Sequence, residues 1–260
     1  MKKTAKTGTS AIRILAALLA ALMLCGCFSG CGRTPDDTDE EEIVRKDKDK
    51  KKKDKEDKPD EPADESSEAA EPSEPAEKWD GEHFARGHVK DDCYTNVMLG
   101  LSFPKPSASY TMYSDDQIAQ LNGYRDADYT EEIQNQLDDT PVIYDMYILD
   151  LVGDSVNINF ENTILTAMGD ITESEYIAAG EELLAEQLAA SGMTVDAVER
   201  ITLSLCGVSH EALQLTVTMN GIAMHEVLTA VKCGKYMGVI TVASQDEEII
   251  WELINNFRPL

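Results

Sequence analysis

Residues 197–243 read AVERITLSLCGVSHEALQLTVTMNGIAMHEVLTAVKCGKYMGVITVA, and their pattern decides the fold. Four runs rich in β-branched and aliphatic residues stand out, Ala197–Leu205, Ala212–Met219, Ile222–Val231 and Tyr236–Ala243. Between them lie Cys206-Gly207, Asn220-Gly221 and Cys233-Gly234, turn-forming pairs that leave only short connections. Strands joined so tightly have no chain for a crossover helix, so the run is an antiparallel meander.

The flanks add helices. Thr172 with Glu175 forms a capping box that opens the longest predicted helix, running through Tyr176, Ile177, Leu183, Leu184 and Leu188 to Gly192. Ser244 with Glu247 predicts a second capping box, starting a closing helix through Ile249, Ile250, Leu253, Ile254 and Phe257 and ending at Arg258-Pro259. Upstream, Val142–Val152 and Ser155–Phe160 read as a hairpin over Gly153-Asp154. The first of these strands is apolar on nearly both faces, Leu149 and Leu151 included, as a central strand would be. Ser114 with Gln117 caps a short helix that stops before Gly123, and Tyr129–Leu137 predicts another. Asn96–Phe103 alternates Val97, Leu99, Leu101 and Phe103 as one strand, and Tyr110–Tyr113 is its return. Helices packed on a largely antiparallel sheet make an α+β domain, not a doubly wound nucleotide fold.

The run Tyr94-Thr-Asn-Val-Met-Leu-Gly-Leu-Ser-Phe-Pro104 resembles the opening of small extracytoplasmic lipoproteins of Clostridia-type bacteria. In these, Y-x-N-x-x-x-G-(L/F)-x-F-x-x-P-x-x-W leads into a helix such as Ser114–Leu121; Tyr110 stands in the region of the expected tryptophan. The order of elements over residues 92–260 is similar to the PsbP-type α/β/α sandwich. That resemblance implies an accessory or protein-binding module without naming its partner.

The N-terminus carries an address. Lys2, Lys3, Lys6 and Arg13 precede an uncharged apolar run, Ile14–Leu24, too short to span a bilayer core of about 30 Å. Leu24-Cys25-Gly26-Cys27 then resembles a lipobox, which implies cleavage before Cys27 and diacylglycerol on its sulfur. Ser29-Gly30-Cys31 is a weaker second candidate. The expected organisation is a signal peptide at 1–26, a charged tether at 27–87 and one globular domain at 88–260. From Thr34 to Glu77 the chain has almost no apolar residues beyond Ile43, Val44 and alanines, a composition that cannot offset chain entropy, so disorder is expected there. Lys50–Lys53 is a basic run whose field the surrounding acids nearly cancel.

Charge narrows the partners. The net charge is −26, and from Lys78 onward 9 basic residues face 30 acidic ones. That surface argues against nucleic acid and anionic lipid as ligands and favours a soluble monomer that attracts cations or a basic partner protein. Of six cysteines, Cys25 leaves with the signal peptide, Cys27 is the lipidation site and Cys31 begins the tether. Cys93, Cys206 and Cys233 remain, with no C-x-x-C spacing for zinc or redox work; buried free thiols are expected, with one bridge as the alternative.

Chemistry-bearing candidates are sparse. His83 and His88 lie in or beside the tether, while His210 and His225 fall on the meander, where His210 within reach of Cys206 or Cys233 would make a thiol–imidazole pair; an edge-strand histidine is the favoured reading. Asp115-Asp116 and Asp138-Asp139 offer carboxylates without the alternating ligands and glycine of a calcium loop. Tyr110, Tyr113, Tyr124, Tyr129, Tyr144 and Tyr147 form a tyrosine-rich first half suited to recognition or to packing. No nucleophile-elbow, zincin, P-loop or dinucleotide motif is present. The sequence therefore predicts no catalytic, metal or cofactor-binding residue. It predicts a non-enzymatic, extracytoplasmic binding module anchored to the membrane at Cys27, with an envelope protein as partner. The rival is a small-ligand-binding protein or enzyme with its site on the meander.

Overall fold

The computed structural model describes residues 78–125, 130–190 and 192–260. Cys27, the signal peptide, nearly all of the tether and Tyr129 lie outside the described residues. Eleven strands and four helices are present among them: β1 His88–Lys90, β2 Cys93–Asn96, β3 Leu101–Pro104, β4 Thr111–Met112, α1 Asp115–Leu121, α2 Glu131–Asp138, β5 Val142–Leu149, β6 Ser155–Asn162, α3 Glu173–Ala190, β7 Thr194–Leu205, β8 Val208–Met219, β9 Ile222–Cys233, β10 Tyr236–Ser244, α4 Glu247–Ile254 and β11 Arg258–Pro259.

The meander forms as its turns dictate. Leu205 pairs with Val208 and Met219 with Ile222, so Cys206-Gly207 and Asn220-Gly221 are two-residue loops with positive φ at both positions. The third loop is Gly234-Lys235, one residue later than the sequence indicated, because Cys233 pairs with Tyr236. The meander's last strand, β10, then pairs antiparallel with β6, which gives a seven-stranded sheet in the order β4-β5-β6-β10-β9-β8-β7. A four-stranded sheet, β1-β2-β3-β11, completes an α+β domain.

Both faces of the large sheet are covered. On one, Val156, Ile158 and Phe160 of β6 and Ile240 and Val242 of β10 pack with α4 and the small sheet through Ile250, Leu253, Phe257 and Phe103. On the other, Met237, Val239, Leu228, Leu213 and Leu215 lie under Tyr176, Ile177, Leu184 and Leu188 of α3. Strand β6 is buried at every position, and so is β10. Packing begins upstream of His88, since Phe84 is buried and its ring meets Phe160 edge-on at 5.1 Å.

Several expectations change. Asn96–Phe103 is not one strand: β2 ends at Asn96, whose Oδ1 accepts the Leu99 N–H at 2.9 Å, and Gly100 at φ +65° turns the chain into β3. Tyr110–Tyr113 is not a return for that strand; its Thr111-Met112 pairs with β5 in the large sheet. The closing helix starts from Asp246, whose carboxylate caps Glu248 N–H at 2.9 Å, while Ser244 instead donates to Asp154 at 2.5 Å. That helix ends at Ile254, and Arg258-Pro259 returns as a strand beside Ser102 and Leu101. The capping boxes at Ser114/Gln117 and Thr172/Glu175 form as read.

Candidate functional site

His210, His225 and Cys233 are each engaged elsewhere than with one another. His210 Nδ1 lies 3.2 Å from Glu173 Oε2, and His225 Nδ1 lies 3.2 Å from Thr216 Oγ1. Cys233 is buried, its thiol directed to the Met98 carbonyl at 3.3 Å, and burial pushes that thiol up to about 12. Burial raises Cys93 and Cys206 as well. All three are free thiols, but of the buried free cysteines expected only Cys233 is buried; Cys93 and Cys206 are partly exposed. A thiolate nucleophile needs the opposite shift.

The acidic pairs serve the fold. Asp115 accepts the Val89 N–H at 3.1 Å and faces His88 Nδ1 at 3.2 Å, tying α1 to β1. Asp138 accepts the Phe84 N–H at 2.9 Å and the Tyr236 hydroxyl at 2.6 Å, and faces His83 Nδ1 at 3.0 Å. Burial acts to raise Asp138, but these hydrogen bonds outweigh it and hold the carboxyl below its usual value. Among the described residues no group of three or more His, Cys, Asp or Glu is placed to hold a metal ion. Of the tyrosines, Tyr147 is buried and stacks edge-on against Tyr113 at 5.0 Å, so that part of the set packs.

Three charged residues that the sequence reading passed over are buried instead. Asp145 sits at the β5 bulge between Tyr144 and Met146, 2% exposed. Its carboxylate accepts from Gly87 N–H at 2.9 Å, from Asn96 Nδ2 at 2.7 Å and from the Tyr94 hydroxyl. Burial raises its pKa while those donors oppose the rise. Glu161 of β6 is fully buried under α3, close enough to Tyr176 for each to feel the other, yet neither carboxylate oxygen has a hydrogen-bond partner. Burial pushes it up to about 8, and does the same to Glu226 of β9. Their signal was present as lone acids inside strand patterns.

The outward-facing feature is the β5–β6 connection. Val142–Val152 was read as a single strand with Leu151 in the core; β5 instead stops at Leu149, and Leu151 and Val152 stand at the loop tip, 99% and 64% exposed. The reason is Asp150. Its Oδ1 accepts the N–H groups of Val152, Gly153 and Asp154, each at 2.9 Å, while its own N–H donates to the Asp154 carbonyl at 3.0 Å. Gly153 takes φ +102°, and Gln245 Nε2 donates to the Val152 carbonyl at 3.0 Å. Beside the tip opens a cleft of about 440 Å³, lined by Tyr110, Asp150, Asp154, Ile249, Glu252 and Leu253 among others. Burial pushes the Tyr110 phenol up to about 12, with Asp154, Asp150 and Glu252 adding negative charge in the same direction. Asp154 is raised by burial and by Asp150 and Asp246, against a hydrogen bond from Ser244.

No protein-family description matches the chain, and no curated protein does either. Among solved structures, the chain is similar to cyanobacterial PsbP from Synechocystis sp. PCC 6803, at 11% identity over 72% of this chain and 100% of that one, with a TM-score of 0.37. It is also similar to LpqN of Mycobacterium tuberculosis, described as involved in cell envelope biogenesis, at 8% identity over 61% of this chain and 82% of that one, with a TM-score of 0.33.

Proposed function

We propose that this chain is an extracytoplasmic lipoprotein whose α+β domain is a non-enzymatic binding module, held at the membrane by lipid on Cys27. The address rests on the basic start, the short apolar run and Leu24-Cys25-Gly26-Cys27. The observation that carries the module reading is the hairpin tip: a leucine 99% exposed, on a loop fixed by five hydrogen bonds. Isolated surface leucines are ordinary, but rigid presentation lowers the ordering cost of an encounter. Two carbon chains on Cys27 give a stable anchor, and the charged stretch between anchor and domain acts as a spacer that raises the module's concentration near its partner. The domain works as a monomer facing an envelope protein.

Metabolic labelling with a radioactive fatty acid tests the address. Wild type takes up label and Cys27→Ala does not; equal labelling of the two would sink it. Cross-linking in intact cells tests the module: a saturable protein adduct is the expected product, and turnover of an envelope metabolite by the purified protein would replace this reading with the enzymatic one.

A further inference from the structure

We infer that Leu151 and Val152 dock into an apolar depression on a basic protein, whose lysine or arginine rim faces the carboxylates around the β5–β6 tip. The inference rests on the binding-module reading and specifies its partner.

The apolar part of the contact is small and fixed. Leu151 and Val152 project from a loop whose turn is closed by Asp150 and braced by Gln245, so the side chains are offered in one place. Contacts of this kind concentrate binding in one or two anchors filling a partner's pocket, ringed by groups that exclude water. The ring here is acidic. Asp246 and Glu248 are exposed just after Gln245, and Glu252 is exposed one turn further on, where it lines the cleft with Asp150; Glu247 turns away to accept from Gln214 of β8 at 2.7 Å. The charges that bear most on Tyr110 and Asp154 are Asp150, Asp154, Asp246 and Glu252, all negative. A cationic rim answers that field and speeds encounter. An anionic lipid surface is repelled by it, which favours a protein over a membrane as the occupant.

The test uses the full-length lipoprotein in its own cells, with the photo-crosslinker p-benzoylphenylalanine placed at position 151 and, separately, at Val208. Val208 is 57% exposed at the first position of β8, just after the Cys206-Gly207 turn, and serves as the apolar control. The expected result is one saturating protein adduct from position 151 and none from 208. The protein identified in that adduct is then purified and titrated with wild type, Leu151→Ser, and Glu248→Lys/Glu252→Lys. Removing the leucine is expected to weaken binding about ten- to hundred-fold, the range for losing one buried aliphatic side chain. Charge reversal is expected to weaken it at least ten-fold, with wild-type affinity falling steeply as salt rises. An adduct to lipid alone, or an affinity indifferent to Leu151→Ser or to charge reversal, overturns the inference. A protein adduct from 208 and not from 151 overturns it too, while leaving the module reading standing. No protein adduct from any exposed position removes both.

Discussion

The Tyr94 hydroxyl donates to the Asp145 carboxylate, joining the small sheet to the bulge of the large one with both side chains buried. Tyr94→Phe leaves the carboxylate in place with one donor fewer. The expected loss is about 1–3 kcal/mol, the cost of a buried acceptor deprived of a partner. Urea unfolding followed by tryptophan fluorescence measures it; an unchanged midpoint would show that another donor takes over.

Gly87 is held against the same pair. A Cβ at this position would lie 2.2 Å from Tyr94 Cε2, and the Gly87 N–H is already bonded to Asp145. Since Asp145 fixes the tyrosine, the ring has little freedom to retreat. Gly87→Ala is therefore expected to destabilise by about 1–3 kcal/mol or more, and combining it with Tyr94→Phe should cost less than the sum of the two. Strict additivity in that double-mutant cycle would contradict the coupling.

The buried glutamates give the domain an uncommon pH dependence. Glu161 and Glu226 have folded-state values of about 8 against 4.5 when exposed. The native state therefore holds more protons than the unfolded chain between these limits, and stability falls as pH rises from about 4.5 to about 8. Asp138 and Asp115 shift downward and contribute the opposite slope, confined to more acidic solution. Denaturation midpoints across pH 5 to 8 should decline for wild type and flatten in Glu161→Gln/Glu226→Gln. A midpoint that rises over this range would overturn the assignment.

Thiol reactivity should separate the three cysteines of the domain. Cys233 is 3% exposed with its thiol raised to about 12, whereas Cys93 and Cys206 are only partly covered. Timed alkylation of the native protein, mapped by peptide mass spectrometry, should modify Cys93 and Cys206 first and Cys233 only on unfolding. Early modification of Cys233 would show that its strand opens locally.

The sequence made the meander legible because its register follows from turn chemistry, which is local: Asn220-Gly221 has few conformations open to it. It was less informative where a distant element decides. The alternation Asn157-Ile158-Asn159-Phe160-Glu161 is that of a strand with one wet face, yet its polar side is buried as well, with Glu161 beside Tyr176 of α3. Leu151 looked like core because hydrophobic patterning cannot distinguish a strand's end from a loop tip. The capping of three amides by Asp150 is what ends β5 at Leu149, three residues before Val152. Ser244, read as a cap, is instead taken by Asp154, 90 residues away in sequence.

The pairing of Arg258-Pro259 with Leu101 and Ser102 bears on how the chain is made. A ribosome releases residues in order, so β3 emerges well over a hundred residues before the strand that covers its outer edge. The large sheet has a shorter delay at its centre, where β6 waits for β10. Neither sheet can close on the nascent chain before its last segment is free. A chain stopped before β10 leaves β6 unpaired on that side, and one stopped before Arg258 leaves only the outer edge of β3 open.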